Sequence, residues 1–258
     1  PLDDFETDWV QTIDNPGRSS AYLAGNLQGA ATFYSDVLRW SPIEMPMGDD
    51  TATLFSAAGK PLAHYMAAED GIPTHWMHYL RVDDVAVTAQ KAVSTGGQLV
   101  VPPTDIPPGR FAILRSPSGA HMAIWREADP AAEHHPGGLG GASWTELHSQ
   151  DIEADRAWLV AAFGFELGDM PMPQGGTYTL LKIGDEMRGG ACPSFIPDAP
   201  SAWLTWWNVE NADEAAARIT AGGGRLFGEV TEYPGVGRMV MAADPAGAIF
   251  GVMQPSDS

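Results

Sequence analysis

Two polar residues in the segment WTELHS (144–149), Glu146 and His148, could move protons between the protein and a bound molecule. The segment is predicted to form a β-strand, on which Trp144, Glu146 and His148 share one face. A carboxylate with a neighbouring imidazole can transfer protons near neutral pH when both groups reach the substrate. The spacing is therefore compatible with acid–base chemistry, in which Glu146 is the base and either His148 or His121 is its partner or the proton donor.

A third candidate, His121, lies in PSGAHMAIW (117–125), a peptide that nearly recurs as PAGAIFGVM (245–253). This segment also predicts a strand, and the alternation of side chains places His121 on the same face as Ala123 and Trp125. The catalytic candidates are therefore the following three residues: Glu146, His121 and His148.

The chain repeats itself, and the repeat defines the elements that must position these residues. Residues 75–107 align with residues 202–234 without a gap, and residues 33–47 align with residues 158–172. The repeat and the Pro, Gly and Ala content between its copies predict a first domain, a linker and a second domain, over 1–127, 128–140 and 141–258.

Each copy divides again into two modules. In the second copy, the strand at WTELHS is followed by a predicted helix over 151–163, with Asp151 as its N-cap. A hairpin around Gly184-Asp185 comes next, and a second helix is predicted over 211–221. The order strand–helix–strand–strand–strand occurs four times in the chain, which predicts an α+β fold of four βαβββ modules.

The first module is predicted to begin with the strand around Trp9, because DWVQTID aligns with the strand around Trp144. The first copy then carries about ten additional residues before its helix, within NPGRSSAYLAGN (15–26). This segment is interpreted as an insertion that shapes the mouth of a cleft.

The four-module pattern resembles the vicinal oxygen chelate superfamily, which includes glyoxalases, extradiol dioxygenases and bleomycin-binding proteins. The closest similarity is to tandem glyoxalase-like proteins of actinobacteria, and it is carried by RVDDV, TGGQLVVPPTDIP, GRFAILRSPSGA and GRMVMAADPAGAIFGVMQ. The resemblance implies two tandem glyoxalase-like domains with cupped mixed sheets, in which two modules together line each cleft.

The resemblance also implies that the second and third modules line one cleft. Besides the catalytic candidates, this first cleft would hold four residues: His75, Tyr79, Trp125 and Trp144. The other cleft would contribute further substrate-binding residues: Trp9, Gln11, Trp206 and Asn208. Flat aromatic walls of this kind suit a planar or apolar small molecule, whereas Trp76, Trp203 and Trp207 are predicted to lie in the core.

Enzymes of this superfamily bind a divalent metal through His, Glu or Gln on the first and last strands of their modules. In this sequence six of those positions fall on Trp9, Met77, Trp144, Leu204, Ala123 and Gly251, whose side chains offer a divalent metal no suitable donors. Two more positions lie near LAHYM and MRGGA, where only His64 could bind a metal. The resemblance therefore predicts that the scaffold is kept without the usual metal site and without a cofactor.

Three interpretations of the first cleft remain open. Its polar residues could simply line the barrel, or Glu146 and the histidines could catalyse isomerisation, cyclisation, elimination or hydration of an apolar or aromatic metabolite. Two histidines and Glu146 could instead bind a metal at a displaced position. A different class of function, sequestration of a drug or toxic metabolite as in bleomycin-binding relatives, needs aromatic walls but no acid–base pair.

Composition narrows the range of partners. The 33 acidic residues exceed the 14 basic ones, and the net charge of −19 repels phosphate backbones and anionic lipids, so neither nucleic acid nor membrane is an expected partner. A single cysteine, Cys192, excludes an internal disulfide. The N-terminal residues lack signal-peptide character, so a cytoplasmic protein is expected. Tandem modules supply their own pairing, which favours a monomer or a weak homodimer.

Overall fold

Four strand–helix–strand–strand–strand modules follow one another along the chain, as the repeat predicts. The computed structural model describes residues 8–9, 20–24, 27–47, 50–67, 73–106, 109–128, 138–172, 175–196 and 199–256. The first module follows a short strand, β1 (Asp8–Trp9), and consists of β2 (Ser20–Ala24), α1 (Leu27–Leu38), β3 (Ser41–Met47), β4 (Asp50–Ala57) and β5 (Lys60–Ala67). The second consists of β6 (His75–Arg81), α2 (Val85–Ser94), β7 (Gln98–Ile106), β8 (Gly109–Arg115) and β9 (His121–Glu127).

The second half of the chain has the same order. Its first module consists of β10 (Ala142–Ser149), α3 (Ile152–Phe163), β11 (Glu166–Pro171), β12 (Thr177–Ile183) and β13 (Glu186–Pro193). Its second module consists of β14 (Ala202–Asn208), α4 (Ala212–Ala221), β15 (Arg225–Leu226), β16 (Thr231–Tyr233), β17 (Gly237–Ala243) and β18 (Ile249–Pro255). The predicted α+β fold of four βαβββ modules is confirmed.

The strands form two nine-stranded mixed sheets. The first has the order β3-β4-β5-β2-β6-β9-β8-β7, with β1 paired to β6, and the second has the order β11-β12-β13-β10-β14-β18-β17-β15, with β16 paired to β17. In the second sheet, β10 and β13 run parallel and place Glu146 opposite Gly190. Each sheet thus combines two consecutive modules.

The strand around Trp9 does not open the first module, contrary to the sequence prediction. β1 pairs antiparallel with β6, where Trp9 lies opposite Leu80. The strand that pairs in parallel with β5, as β10 pairs with β13, is β2, and it lies inside the segment interpreted as an insertion. The sequence prediction depended on aligning Trp9 with Trp144. The first strand of the module is instead formed by the short segment SAYLA, which has no tryptophan.

Local sequence explains where the helices begin. Asp84, Asp151 and Asn211 each precede a helix, and their side chains accept hydrogen bonds from backbone N–H groups of the first turn. At the end of α3, Gly164 adopts the left-handed conformation with a φ of 78°, which glycine tolerates without strain. The predicted N-cap Asp151 is therefore confirmed.

The chain divides into two compact units. The first consists of Pro1–Val10, His78–Ala132 and Thr145–Trp203. Its core contains buried residues of both α2 and α3, together with inward residues of both sheets, among them Leu80, Ile124, Leu147, Trp158 and Trp203.

The second unit consists of Gln11–Met77, Glu133–Trp144 and Leu204–Ser258. Its core contains buried residues of α1 and α4 and an aromatic cluster that includes Tyr34, Trp40, Trp76 and Trp207. The predicted core positions of Trp76, Trp203 and Trp207 are thus confirmed.

A buried carboxylate, Asp155, holds two elements of the first unit together. This residue of α3 has no exposed surface and accepts a 2.7 Å hydrogen bond from the Ser149 hydroxyl. The Ser118 hydroxyl donates to the same oxygen, Oδ2, and the other oxygen, Oδ1, accepts a 3.1 Å hydrogen bond from the Ser118 backbone N–H. The carboxylate therefore connects α3 to the turn before β9 and to the end of β10.

No helix in the described part of the chain is long and apolar enough to cross a membrane.

Candidate functional site

Strand β10 carries a buried carboxylate–imidazole pair. The Nε2 atom of His148 lies 2.8 Å from Oε1 of Glu146. Glu146 is 6% exposed and His148 is 7% exposed, so the pair is shielded from bulk water. The strand alternation that placed both residues on one face therefore identified a real hydrogen-bonded pair.

A third polar group, Tyr178 of β12, completes the cluster, and sequence reasoning missed it. The Tyr178 hydroxyl donates a 2.5 Å hydrogen bond to Oε2 of Glu146. The two oxygens of the carboxylate therefore have separate partners on separate strands. Two hydrogen-bonding partners offset part of the cost of burying a charged carboxylate. We call Glu146, His148 and Tyr178 the carboxylate triad.

The missing side chain of Gly190 allows this geometry. Gly190 lies opposite Glu146 on β13, and a Cβ atom built on it would lie closer than 2 Å to the Tyr178 hydroxyl oxygen. The Tyr178 phenol therefore passes over the backbone of Gly190, which has no side chain to block it, and reaches the Glu146 carboxylate. In the sequence, the only sign of this contact was the Gly189-Gly190 pair in the predicted hairpin. That pair can be connected with Tyr178 only when the neighbouring strand is known.

Replacing Gly190 with Ala is expected to displace Tyr178 and to destabilise the protein by about 1–3 kcal/mol, because the new methyl group overlaps the phenol. Most of this cost should disappear in a Tyr178→Ala background, because the three atoms nearest to the new methyl group all belong to the Tyr178 side chain. Urea unfolding of the two single variants and the double variant measures this coupling. Equal costs in both backgrounds would contradict the proposed contact.

The surroundings of the triad are mainly apolar. The Phe195 ring packs edge-on against the His148 imidazole, with centroids 5.4 Å apart, and it remains 46% exposed. Beneath the triad, burial and then the Glu146 charge raise the pKa of the Cys192 thiol well above its usual range. The thiol therefore stays protonated and is a poor nucleophile. The triad is the group in this environment that can exchange protons with a bound molecule.

The structure does not place all predicted residues of the first cleft together, so that prediction is wrong. Leu147 of β10 lies in the core of the first unit, and so do Met122 and Ile124 of β9. Because alternate side chains of a strand point to opposite faces, Glu146 points away from this core on one sheet and His121 points away from it on the other. The two sheets present these faces in opposite directions across the shared core.

The predicted residues of the first sheet form a separate, mainly aromatic group. Tyr79 and Trp125 are in edge-to-face contact, with centroids 6.4 Å apart. Trp125 is almost fully buried and lies against Gly109, where a Cβ atom would approach its ring to 2.4 Å. His121 is exposed at the start of β9. The structure therefore separates His121 from the Glu146–His148 pair.

The remaining predicted substrate-binding residues have different surroundings, and some lie outside the described residues. The His75 ring uses Nδ1 in a 2.8 Å hydrogen bond with the Pro73 backbone carbonyl, which gives it a local structural contact. The Trp9 backbone is placed in β1, whereas its side chain and the whole of Gln11 lie outside the described residues. In the second unit, Trp144 packs against Trp206 and its neighbours, and Asn208 ends β14.

Burial raises the pKa of Tyr79 to about 12, from an ordinary value near 10. The folded state therefore holds this proton more tightly than the unfolded state, and stability is lost as pH rises from 10 towards 12. In urea unfolding, the Tyr79→Phe variant should lose about 1 kcal/mol less stability than the original protein between pH 9 and pH 11. Parallel stability curves for the two proteins would refute this assignment.

Where the structure describes the side chains at the positions of the family's metal ligands, they do not fit a metal, whereas the side chains of Trp9 and His64 lie outside the described residues. Ala123 has no exposed surface, Met77 and Leu204 are buried, and Gly251 lies beneath the Trp206 ring. None of these residues presents the imidazole or carboxylate donors that a catalytic divalent ion requires.

A different donor set does exist beside these positions. One ligand atom from each of Glu146, His148 and Cys192 lies within 4.8 Å of the others. A metal would require the Cys192 thiolate, whereas burial raises the pKa of that thiol. It would also compete with Tyr178 and His148 for the same carboxylate. The donors are close enough for an ion, but the protonated Cys192 thiol and the hydrogen bonds of Glu146 would both have to change to hold one.

Comparisons with known proteins agree with this architecture. The model of the Glyoxalase/Bleomycin resistance protein/Dioxygenase superfamily matches residues 20–124. CFP32 of Mycobacterium tuberculosis, a candidate glyoxylase, is 31% identical over 239 residues, which span 88% of this chain and 90% of CFP32. The anthracycline biosynthesis protein DnrV of Streptomyces peucetius is 27% identical over 259 residues, which span 93% of this chain and 94% of DnrV.

Solved structures show the same fold. The Mn(II)-bound glyoxalase of Novosphingobium aromaticivorans superimposes with a TM-score of 0.65 at 18% identity, over 95% of this chain and 82% of the glyoxalase. The 2,3-dioxygenase LapB of Pseudomonas sp. KL28 gives a TM-score of 0.62 at 14% identity, over 95% of this chain and 93% of LapB. With four βαβββ modules, two mixed sheets and a full-length relative at 31% identity, the chain belongs to the glyoxalase/bleomycin resistance/dioxygenase superfamily of small-molecule enzymes and binding proteins.

Proposed function

We propose that this protein is an enzyme that moves protons on an apolar or aromatic metabolite of a specialised pathway, without the metal used by other superfamily members. The observation that carries the proposal is the buried carboxylate of Glu146, whose two oxygens contact His148 and Tyr178 separately. This chemistry covers isomerisation, cyclisation, elimination and hydration, all of which require a base and an acid placed together.

Each member of the carboxylate triad has a distinct role in the proposal. Glu146 takes the proton from an acidic carbon of the substrate. His148 holds the carboxylate in position through Nε2 and can deliver a proton in a later step. The Tyr178 hydroxyl donates a hydrogen bond to the other oxygen of the Glu146 carboxylate, and the Tyr178 ring is only partly buried. The exposed Phe195 ring beside His148 gives the site an apolar border suited to an aromatic molecule.

The relatives support the substrate class. DnrV is described as an anthracycline biosynthesis protein, which places that relative in a specialised pathway. A full-length similarity of 27% identity makes a related substrate class reasonable for this chain, while the reaction must follow from its own residues.

A binding protein that sequesters a drug or a toxic metabolite is the alternative. Such a role needs aromatic walls without an acid–base pair, and the partly exposed Tyr79 ring, which packs on the buried Trp125, would contribute to one. A metal-dependent enzyme with a displaced site is the second alternative, because Glu146, His148 and Cys192 lie close together.

The rate at which a ketone exchanges its carbon-bound hydrogens for deuterium distinguishes a proton-transfer enzyme from a binding protein. The probe is 2-tetralone, an apolar aromatic ketone with acidic carbon–hydrogen bonds, and NMR follows the replacement of those hydrogens by deuterium in D₂O. An enzyme of the proposed kind accelerates the exchange above the buffer rate, and Glu146→Gln abolishes the acceleration while the ketone still binds. Binding without acceleration, in this ketone and in a series of related aryl ketones, would instead indicate a binding protein.

A further inference from the structure

Two arginines lie opposite each other on the first sheet. Arg110 of β8 is the register partner of Arg126 of β9. Ala112 and Ile124, each two residues from one of them, belong to the core of the first unit, so the alternation of side chains places both arginines on this face, opposite to Trp125. The Arg110 side chain is 41% exposed, and Arg126 is exposed as well. The pair is therefore accessible from solvent and lies on the other face of the sheet from the predicted substrate-binding residue Trp125.

The internal repeat shows what balances the charge of such an arginine in the fourth module. Arg238 is the equivalent of Arg110, because each follows the glycine that begins its strand. The Arg238 guanidinium grips the Asp213 carboxylate with two contacts, Nη2 to Oδ1 at 3.0 Å and Nη1 to Oδ2 at 2.8 Å. The residue opposite Arg238 is the neutral Gln254, whose Oε1 accepts a hydrogen bond from the Ala212 backbone N–H. The fourth module thus supplies its own carboxylate to this arginine.

Both of these partners are different in the second module. Ala86 stands where the repeat has Asp213, in the first turn of the helix, and Arg126 stands where it has Gln254. The exchange removes one negative charge and adds one positive charge beside Arg110. Like charges directly opposite each other destabilise a pair of strands. The second module therefore gains when an anion lies between its two arginines.

The contacts that remain to the two arginines are weak. Oδ1 of Asp105 lies 3.7 Å from Arg110 Nε, and the Asp105 side chain is 77% exposed. This Nε atom is buried and has no hydrogen-bond acceptor in the described part of the chain. Arg126 donates from Nη1 to the Asp83 carbonyl at 3.5 Å, which is long for a hydrogen bond. Among the described residues, neither arginine has a counterpart of the two-contact grip on Asp213.

We propose that Arg110 and Arg126 bind a phosphate group at the position that the Asp213 carboxylate occupies in the fourth module. The planar fork of a guanidinium matches the oxygens of carboxylates and phosphates, and two such forks suit an oxyanion with two negative charges. The methyl side chain of Ala86 offers the arginines no competing acceptor. The site lies on a different face of the molecule's first sheet from Trp125 and is independent of the proton-transfer role of Glu146.

The ¹H–¹⁵N signals of the arginine Nε groups report binding at each arginine separately, and loss of a signal in the corresponding Arg→Gln variant assigns it. The protein is titrated with inorganic phosphate, while sodium chloride keeps the ionic strength constant. The signals of Arg110 and Arg126 should shift and saturate, and the Arg238 signal should stay in place because Asp213 already occupies that arginine. A parallel titration with phenyl phosphate shows whether a phosphate ester binds more tightly than the free ion. Equal shifts of Arg110, Arg126 and Arg238, or equal affinities for phosphate and acetate, would overturn the proposal.

Three variants test the comparison between the modules. Ala86→Asp supplies the carboxylate of the fourth module at an exposed position where helices favour an acid, and it should weaken phosphate binding about tenfold with both arginines still present. Arg126→Gln should weaken binding by a similar factor. The converse variant, Asp213→Ala, should make the Arg238 signal respond to phosphate. An unchanged dissociation constant in Ala86→Asp or in Arg126→Gln would contradict the site.

Discussion

Replacing Glu146 with Gln is expected to lower the rate of proton exchange about a thousandfold, within the range attributed to a positioned general base. Gln has nearly the same shape, and its carbonyl oxygen can still accept a hydrogen bond from one partner of the triad. The substitution therefore removes the base while the strand geometry is kept. Deuterium incorporation into 2-tetralone, followed by NMR in D₂O, measures the effect.

The matched control is Glu153→Gln, which makes the same chemical change at an exposed position of α3. This variant should exchange protons at the original rate. Binding of 2-tetralone should be nearly the same in both variants, because Glu146 acts on the bound molecule and not mainly in holding it. A Glu146→Gln variant that keeps full exchange activity would remove Glu146 from the proposed mechanism.

Replacing Asp155 with Ala is expected to destabilise the protein by about 3–5 kcal/mol, which would be the largest loss of stability from one side chain among these predictions. The carboxylate is fully buried and accepts hydrogen bonds from Ser149 and from two groups of Ser118. Its removal leaves three donors without their acceptor and opens a cavity. Urea unfolding measures the change in free energy.

Val160→Ala is the control for Asp155, because Val160 lies on the same helix but is 42% exposed. Its cost should stay within about 0.5 kcal/mol, as is usual for surface substitutions. Asp155→Asn should fall between the two variants, since an amide keeps one acceptor oxygen. If Asp155→Ala costs no more than Val160→Ala, the network does not contribute to stability as described.

Much of the fold follows from the sequence because its signals are local. The internal repeat and the strand and helix periodicities predicted four βαβββ modules, and Asp151 was recognised as an N-cap from its residue type and position. Alternation along WTELHS also paired Glu146 with His148, because residues two apart on a strand face the same way.

The rest of the site depends on which strands are neighbours, and a single strand does not encode this. Tyr178 reaches Glu146 only because β12 lies beside β13 and Gly190 has no side chain. His121 was expected beside Glu146, but a shared core separates their faces. The opening strand of the first module was also misplaced, since five residues of SAYLA carry little periodicity of their own.

The most direct test of the account is deuterium incorporation into 2-tetralone by protein treated with a strong chelator, with metal content measured on the same sample. The metal-free protein should accelerate the exchange, Glu153→Gln should accelerate it equally, and Glu146→Gln should not accelerate it. If acceleration appears only after a divalent metal is added back, or if Glu146→Gln accelerates exchange as well as the original protein, metal-independent proton transfer by Glu146 is contradicted.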